Sequence, residues 1–104
     1  MCTKSQLEAI EEEMVNYYRS VYGDSIDTII LYGSYARGDY SDDSDIDITA
    51  IVRGNRVELQ KKLKKMWDFS TEVGLAYDVI VSPTVIPYDE FEQYKEKLPY
   101  YRNI

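Results

Sequence analysis

From Gln6 to Tyr22, apolar residues recur at three- and four-residue steps, at Leu7, Ile10, Met14, Tyr17 or Tyr18, and Val21. That period predicts an amphipathic helix with one buried face. Thr3 followed by Gln6 fits a capping box at its start, and Gly23 fits a stop at its end. The pattern then changes. Ser25 to Tyr32 is a compact apolar run that predicts a buried strand over residues 26–32. A second run, Asp45-Ile46-Asp47-Ile48-Thr49-Ala50-Ile51-Val52, is rich in β-branched residues and predicts a strand over 45–53. Between them, residues 34–44 read as a tight turn or short helix followed by a loop. Asn55 with Glu58 opens a second helix, whose buried stripe is Leu59, Leu63, Met66 and Trp67 and which ends at Gly74. A third strand is expected over 75–82, broken by Ser82-Pro83, and a last short helix over 88–97 before Pro99.

The predicted order is helix–strand–strand–helix–strand–helix. The link between strands one and two is too short for a helical crossover, which makes that pair antiparallel or splayed. A full helix joins strands two and three, which favours a parallel pair. The fold class is therefore α/β (α+β), a mixed β-sheet flanked by helices. Residues 1–104 are expected to form a single domain.

Composition narrows the setting. Cys2 is the only cysteine, so no intrachain disulfide is expected, and neither a signal peptide nor a membrane span is visible. The expected location is cytoplasmic. The net charge of −7 argues against nucleic acid as a direct substrate, because phosphate backbones are held by clustered Lys and Arg. The one basic cluster, Lys61, Lys62, Lys64 and Lys65, reads as the solvated face of a helix.

The chemistry concentrates in residues 33–47, Gly-Ser-Tyr-Ala-Arg-Gly-Asp-Tyr-Ser-Asp-Asp-Ser-Asp-Ile-Asp. On a strand, Asp45 and Asp47 share a face, where two carboxylates repel unless a cation lies between them. Paired hard oxygen ligands suit Mg2+, which takes one or two carboxylates together with substrate phosphates. Gly33 lets backbone N–H groups approach a ligand, the Ser34 hydroxyl is a donor to phosphate oxygen, and Arg37 supplies a planar cationic fork. Taken singly, Gly33-Ser34 is an ordinary turn and Arg37 a surface ion-pair partner for Asp39 or Asp42. Asp42 and Asp43 read as solvated loop residues. A calcium loop over residues 41–45 lacks its interior Gly and closing Glu.

The spacing Gly33-Ser34-x-x-Arg37-Gly38-x6-Asp45-x-Asp47 resembles the signature of the DNA polymerase β-like nucleotidyltransferases, and most closely their minimal members. The resemblance implies a polymerase β-like core that transfers a nucleoside monophosphate to a hydroxyl. It implies Gly33, Ser34, Arg37 and Gly38 at the nucleotide and Asp45 and Asp47 on two Mg2+ ions. In that family a third metal carboxylate lies in a later hydrophobic run, which points to Asp78 in Ala76-Tyr77-Asp78-Val79-Ile80-Val81. ATP is the implied substrate. Such proteins are commonly paired with a small HEPN-domain toxin, so the resemblance implies an antitoxin that adds AMP to a tyrosine of its partner. The alternatives are a binding antitoxin without catalysis and a small antibiotic nucleotidyltransferase, for which the chain has little room. Tyr100 and Tyr101 are candidates for a partner surface or for self-modification. With no histidine in the chain, an imidazole base is excluded.

Overall fold

The computed structural model describes residues 3–38, 44–98 and 101–104, so Asp39, Asp42, Asp43, the break expected at Pro99, and Tyr100 lie outside the described residues. Helix α1 (Lys4–Tyr22) begins at the expected capping box. Thr3 Oγ1 accepts the Gln6 N–H at 3.1 Å and Gln6 Oε1 accepts the Thr3 N–H at 2.8 Å. Strand β1 (Ile26–Tyr32) leads into the five-residue helix α2 (Gly33–Arg37), and strand β2 (Ile46–Val52) follows. Helix α3 (Arg56–Tyr77), strand β3 (Val81–Pro87), helix α4 (Tyr88–Tyr94) and strand β4 (Tyr101–Asn103) complete the order. A single 3-10 turn, Lys95–Lys97, extends α4 to the end expected from the sequence.

The strands form one sheet in the order β3-β2-β1-β4. β1 and β2 are antiparallel, β2 and β3 are parallel through the α3 crossover, and β4 adds antiparallel to β1. Two faces follow from the alternation of side chains. Ile29, Leu31, Ile46, Ile48, Ala50, Val52, Val81 and Val85 pack against α1 and α3. Ile30 and Ile51 face the other way, under Phe91 of α4. Toward the ends of β1 and β2 nearest α2, this second face carries polar residues.

Three expectations change. Gly74 does not end α3. It is buried inside the helix because the chain folds straight back over it, and a Cβ there would lie 2.6 Å from the Val79 carbonyl oxygen. The stop is Asp78, in the left-handed conformation at φ 56°, which Asp tolerates better than most residues. The third strand therefore starts at Val81 rather than at 75, and Pro83 sits within it. β3 is the last strand of the described sheet, where a missing N–H is tolerated. Trp67, placed by its spacing in the buried stripe, is 46% exposed. β4 was not foreseen, since three residues are too few for a periodic signal. It is held by backbone pairing and by Arg102, which donates to Glu11 Oε2 of α1 at 2.8 Å.

Tyr18 fastens α1 to the sheet. Its hydroxyl is 2.8 Å from the carbonyl oxygens of both Ile48 and Thr84, and it accepts the Thr84 N–H at 3.1 Å. The side chain is fully buried, so these backbone groups have no water to turn to. Tyr18→Phe should cost about 1–3 kcal/mol in urea unfolding, with the cooperativity unchanged. A loss within experimental error would show that the hydroxyl is not a structural tie.

Candidate active site

β1 ends at Tyr32, and the chain turns at Gly33 into α2. Gly33 has φ 69°, a left-handed conformation that favours glycine. The turn brings it onto β2: a Cβ built on Gly33 would lie 3.5 Å from Asp47 Oδ2. The backbone before Ser34 and the Asp47 carboxylate thus form one wall. Ser34 and Arg37 belong to α2, with Arg37 exposed at its end, and Gly38 closes the turn at φ 86°.

Asp47 stands in β2, half-buried, and Asp45 is exposed one residue before that strand begins. Burial, and then the neighbouring Asp45 charge, push the Asp47 carboxyl above its ordinary value. The structure therefore joins Gly33, Asp45 and Asp47. The pairing register adds residues whose roles the sequence did not announce. Ser82, Asp47, Tyr32 and Tyr101 form one row across the four strands. The Tyr32 and Tyr101 rings meet edge to face at 6.2 Å between centroids. Burial, with Tyr101 beside it, raises the Tyr32 phenol. In the next row the hydroxyls of Thr49 and Thr84 are hydrogen-bonded to each other. The period-two alternation of β2 contained this signal, but Ser82 reads as a strand end until the register is known.

Asp78 does not join the pair. It caps α3 outside the sheet, exposed, and the β3 residue paired with Asp47 is Ser82. Among the described residues, no three carboxylate or sulfur groups cluster as a metal site. At Asp78, where a third ligand was expected, the structure shows the left-handed cap of α3. What remains is a pair of hard oxygen donors, one of them held at a cost in the ionised form. A divalent cation would relieve that repulsion, and Mg2+ suits a two-carboxylate set because it keeps water and phosphate ligands. The donor set fits the ion.

The four-stranded mixed sheet thus carries helices α1 and α3 on one face and an acidic pair beside a glycine turn on the other. The Nucleotidyltransferase domain family matches residues 8–104, and the chain belongs to it and is a nucleotidyltransferase. Two proteins of Methanocaldococcus jannaschii named as candidate protein adenylyltransferases are similar to it. MJ0141 is 33% identical over 81 residues, covering 76% of this chain and 80% of the relative. MJ0604 is 36% identical over 93 residues, covering 89% and 85%. Among solved structures, a candidate nucleotidyltransferase of Sulfolobus solfataricus matches with a TM-score of 0.63 at 22% identity, over 98% of this chain and 87% of the other. A chain of the MntA–HpeT toxin–antitoxin matches with a TM-score of 0.51 at 18% identity, over 90% and 70%. At these identities both establish the fold. No described helix is long and apolar enough to cross a membrane.

The raised Asp47 carboxyl has a stability consequence of definite sign. In the metal-free protein, folding takes up a proton between the ordinary value of 3.8 and the raised one, so stability from this group falls as pH rises through that interval. Asp47→Asn should therefore melt above the wild type at neutral pH without metal. The difference should shrink to nothing below pH 3.8. A lower melting temperature at neutral pH would contradict the electrostatic reading.

Proposed function

We propose that this protein transfers AMP from ATP, with Mg2+, to a hydroxyl group of a partner protein. The observation that carries the proposal is the approach of Gly33 to the Asp47 carboxylate. It sets a backbone turn able to receive phosphate oxygens directly against a pair of metal-type donors. Nucleotide and cation would then be bound by adjoining walls. Asp45 and Asp47 would hold the cation. Gly33 and Ser34 in the turn, with Gly38 closing it, lie along the β- and γ-phosphates, while Arg37 offsets charge on the departing pyrophosphate. Bound Mg2+ supplies electrostatic stabilisation of the phosphoryl oxygens. With no histidine in the chain, carboxylates are the bases at hand.

The names of the two similar M. jannaschii proteins support a protein as the acceptor and adenylyl as the group transferred. The family resemblance extends this to a tyrosine of a HEPN-domain toxin, which would make the protein an antitoxin. The acidic surface agrees with an acceptor that is not a nucleic acid.

The test is transfer of label from ATP carrying 32P at the α-phosphate, with Mg2+ and the product of the adjacent gene. The wild type should label the partner, and the folded Asp45→Asn/Asp47→Asn variant should lose more than about 100-fold of that rate. Undiminished labelling by the variant would remove the site. Tight complex formation without transfer by the wild type would instead mean inhibition by binding alone.

A further inference from the structure

Strand β3 places one side chain in the row that holds Asp47, and it is Ser82. Val81, Pro83 and Val85 alternate with it, and Val81 and Val85 are buried under α1 and α3. Ser82, Thr84 and Ile86 therefore point to the opposite face, the one that carries Asp47. Ser82 is half-buried there and flanks Asp47 on the side away from Tyr32. One row on, the hydroxyls of Thr49 and Thr84 are hydrogen-bonded to each other. Among the described residues the Ser82 hydroxyl has no such partner.

Reach and charge decide what a residue at this place can do. Paired strands lie about 4.8 Å apart, so a side chain at position 82 stands beside a cation bound to Asp47. A carboxylate there would extend far enough to bind the ion and would add negative charge to the pair. Serine does neither. Its oxygen is one bond beyond Cβ and is neutral, so it comes within hydrogen-bond range of a water on the ion rather than of the ion itself. Mg2+ held by two carboxylates keeps several waters, and those waters need acceptors.

We infer that Ser82 is a positioning residue of the cation site: its hydroxyl accepts a hydrogen bond from a water of the divalent cation held by Asp45 and Asp47. The third carboxylate that the family resemblance implies from a later strand would reach the pair from position 82, and this chain has serine there. The β3 side of the ion is thus oriented without being charged. A neutral hydroxyl also takes no proton, so an entering hydroxyl finds no base at this position. The inference rests on the cation site proposed above.

The experiment titrates Mn2+ into the nucleotide-free full chain and reads bound Mn2+ by electron paramagnetic resonance. It compares wild type with Ser82→Ala, Ser82→Thr, Ser82→Asp and Asp45→Asn/Asp47→Asn. Melting temperatures confirm that each variant is folded. Ser82→Ala should weaken Mn2+ binding about tenfold, while Ser82→Thr, which keeps the hydroxyl, should stay within about twofold of wild type. Ser82→Asp should bind Mn2+ about tenfold more tightly. Without metal at neutral pH it should melt below wild type, because like charges crowd one row, and Mn2+ should restore the loss. Wild-type affinity in Ser82→Ala, or equal losses in Ser82→Ala and Ser82→Thr, would overturn the inference, as would unchanged affinity in a folded Ser82→Asp. In those cases, wild-type binding that Asp45→Asn/Asp47→Asn abolishes would leave the cation site standing. No wild-type binding, or binding that the double variant retains, would overturn the cation site and the inference with it.

Discussion

The antiparallel register of β1 on β2 is the constraint from which the site follows. Tyr32 is paired with Asp47, so the turn that begins at the next residue must come down beside that carboxylate. A slip of one residue would turn Asp47 toward the apolar face and bring Ile46 or Ile48 to the turn. The apolar side prevents the slip: Ile29 and Leu31 of β1 and Ile46, Ile48, Ala50 and Val52 of β2 have a single arrangement that buries them under α1 and α3. The core thus sets the register, and the register sets the distance between Gly33 and Asp47.

The same sheet divides the site into two sides. β1 and β4 carry α2 and the Tyr32–Tyr101 pair, while β3 carries Ser82. The cost of the arrangement is visible at Asp47, whose ionised form is disfavoured by burial and by its neighbour. Such conflict between stability and local charge is found preferentially at functional sites.

Much of this was legible in the chain because the relevant signals were local. The cap at Thr3, the stop at Gly23, the two apolar strands and the parallel link through α3 follow from short-range periodicity and turn chemistry. The spacing of Gly33, Arg37, Asp45 and Asp47 was equally visible. What escaped depended on contacts between distant residues. Gly74 reads as a helix end, but it is a point of close approach to Val79, and so the helix runs on to Asp78 and shifts β3 by six residues at its start. That shift removes Asp78 from the sheet and puts Ser82 beside Asp47. Trp67 fits the buried period of α3, yet its side chain is 46% exposed.

The most direct test of the central claim, that Gly33 and the Asp45–Asp47 pair form one nucleotide–metal site, is a crystal structure with Mn2+ and an ATP analogue that cannot be cleaved between the α- and β-phosphates. Anomalous density from manganese should lie between the Asp45 and Asp47 carboxylates, with the β- and γ-phosphates against the Gly33 turn and the α-phosphate open toward β3. Nucleotide bound away from the Gly33 turn, or manganese held by residues other than this pair, would contradict the account.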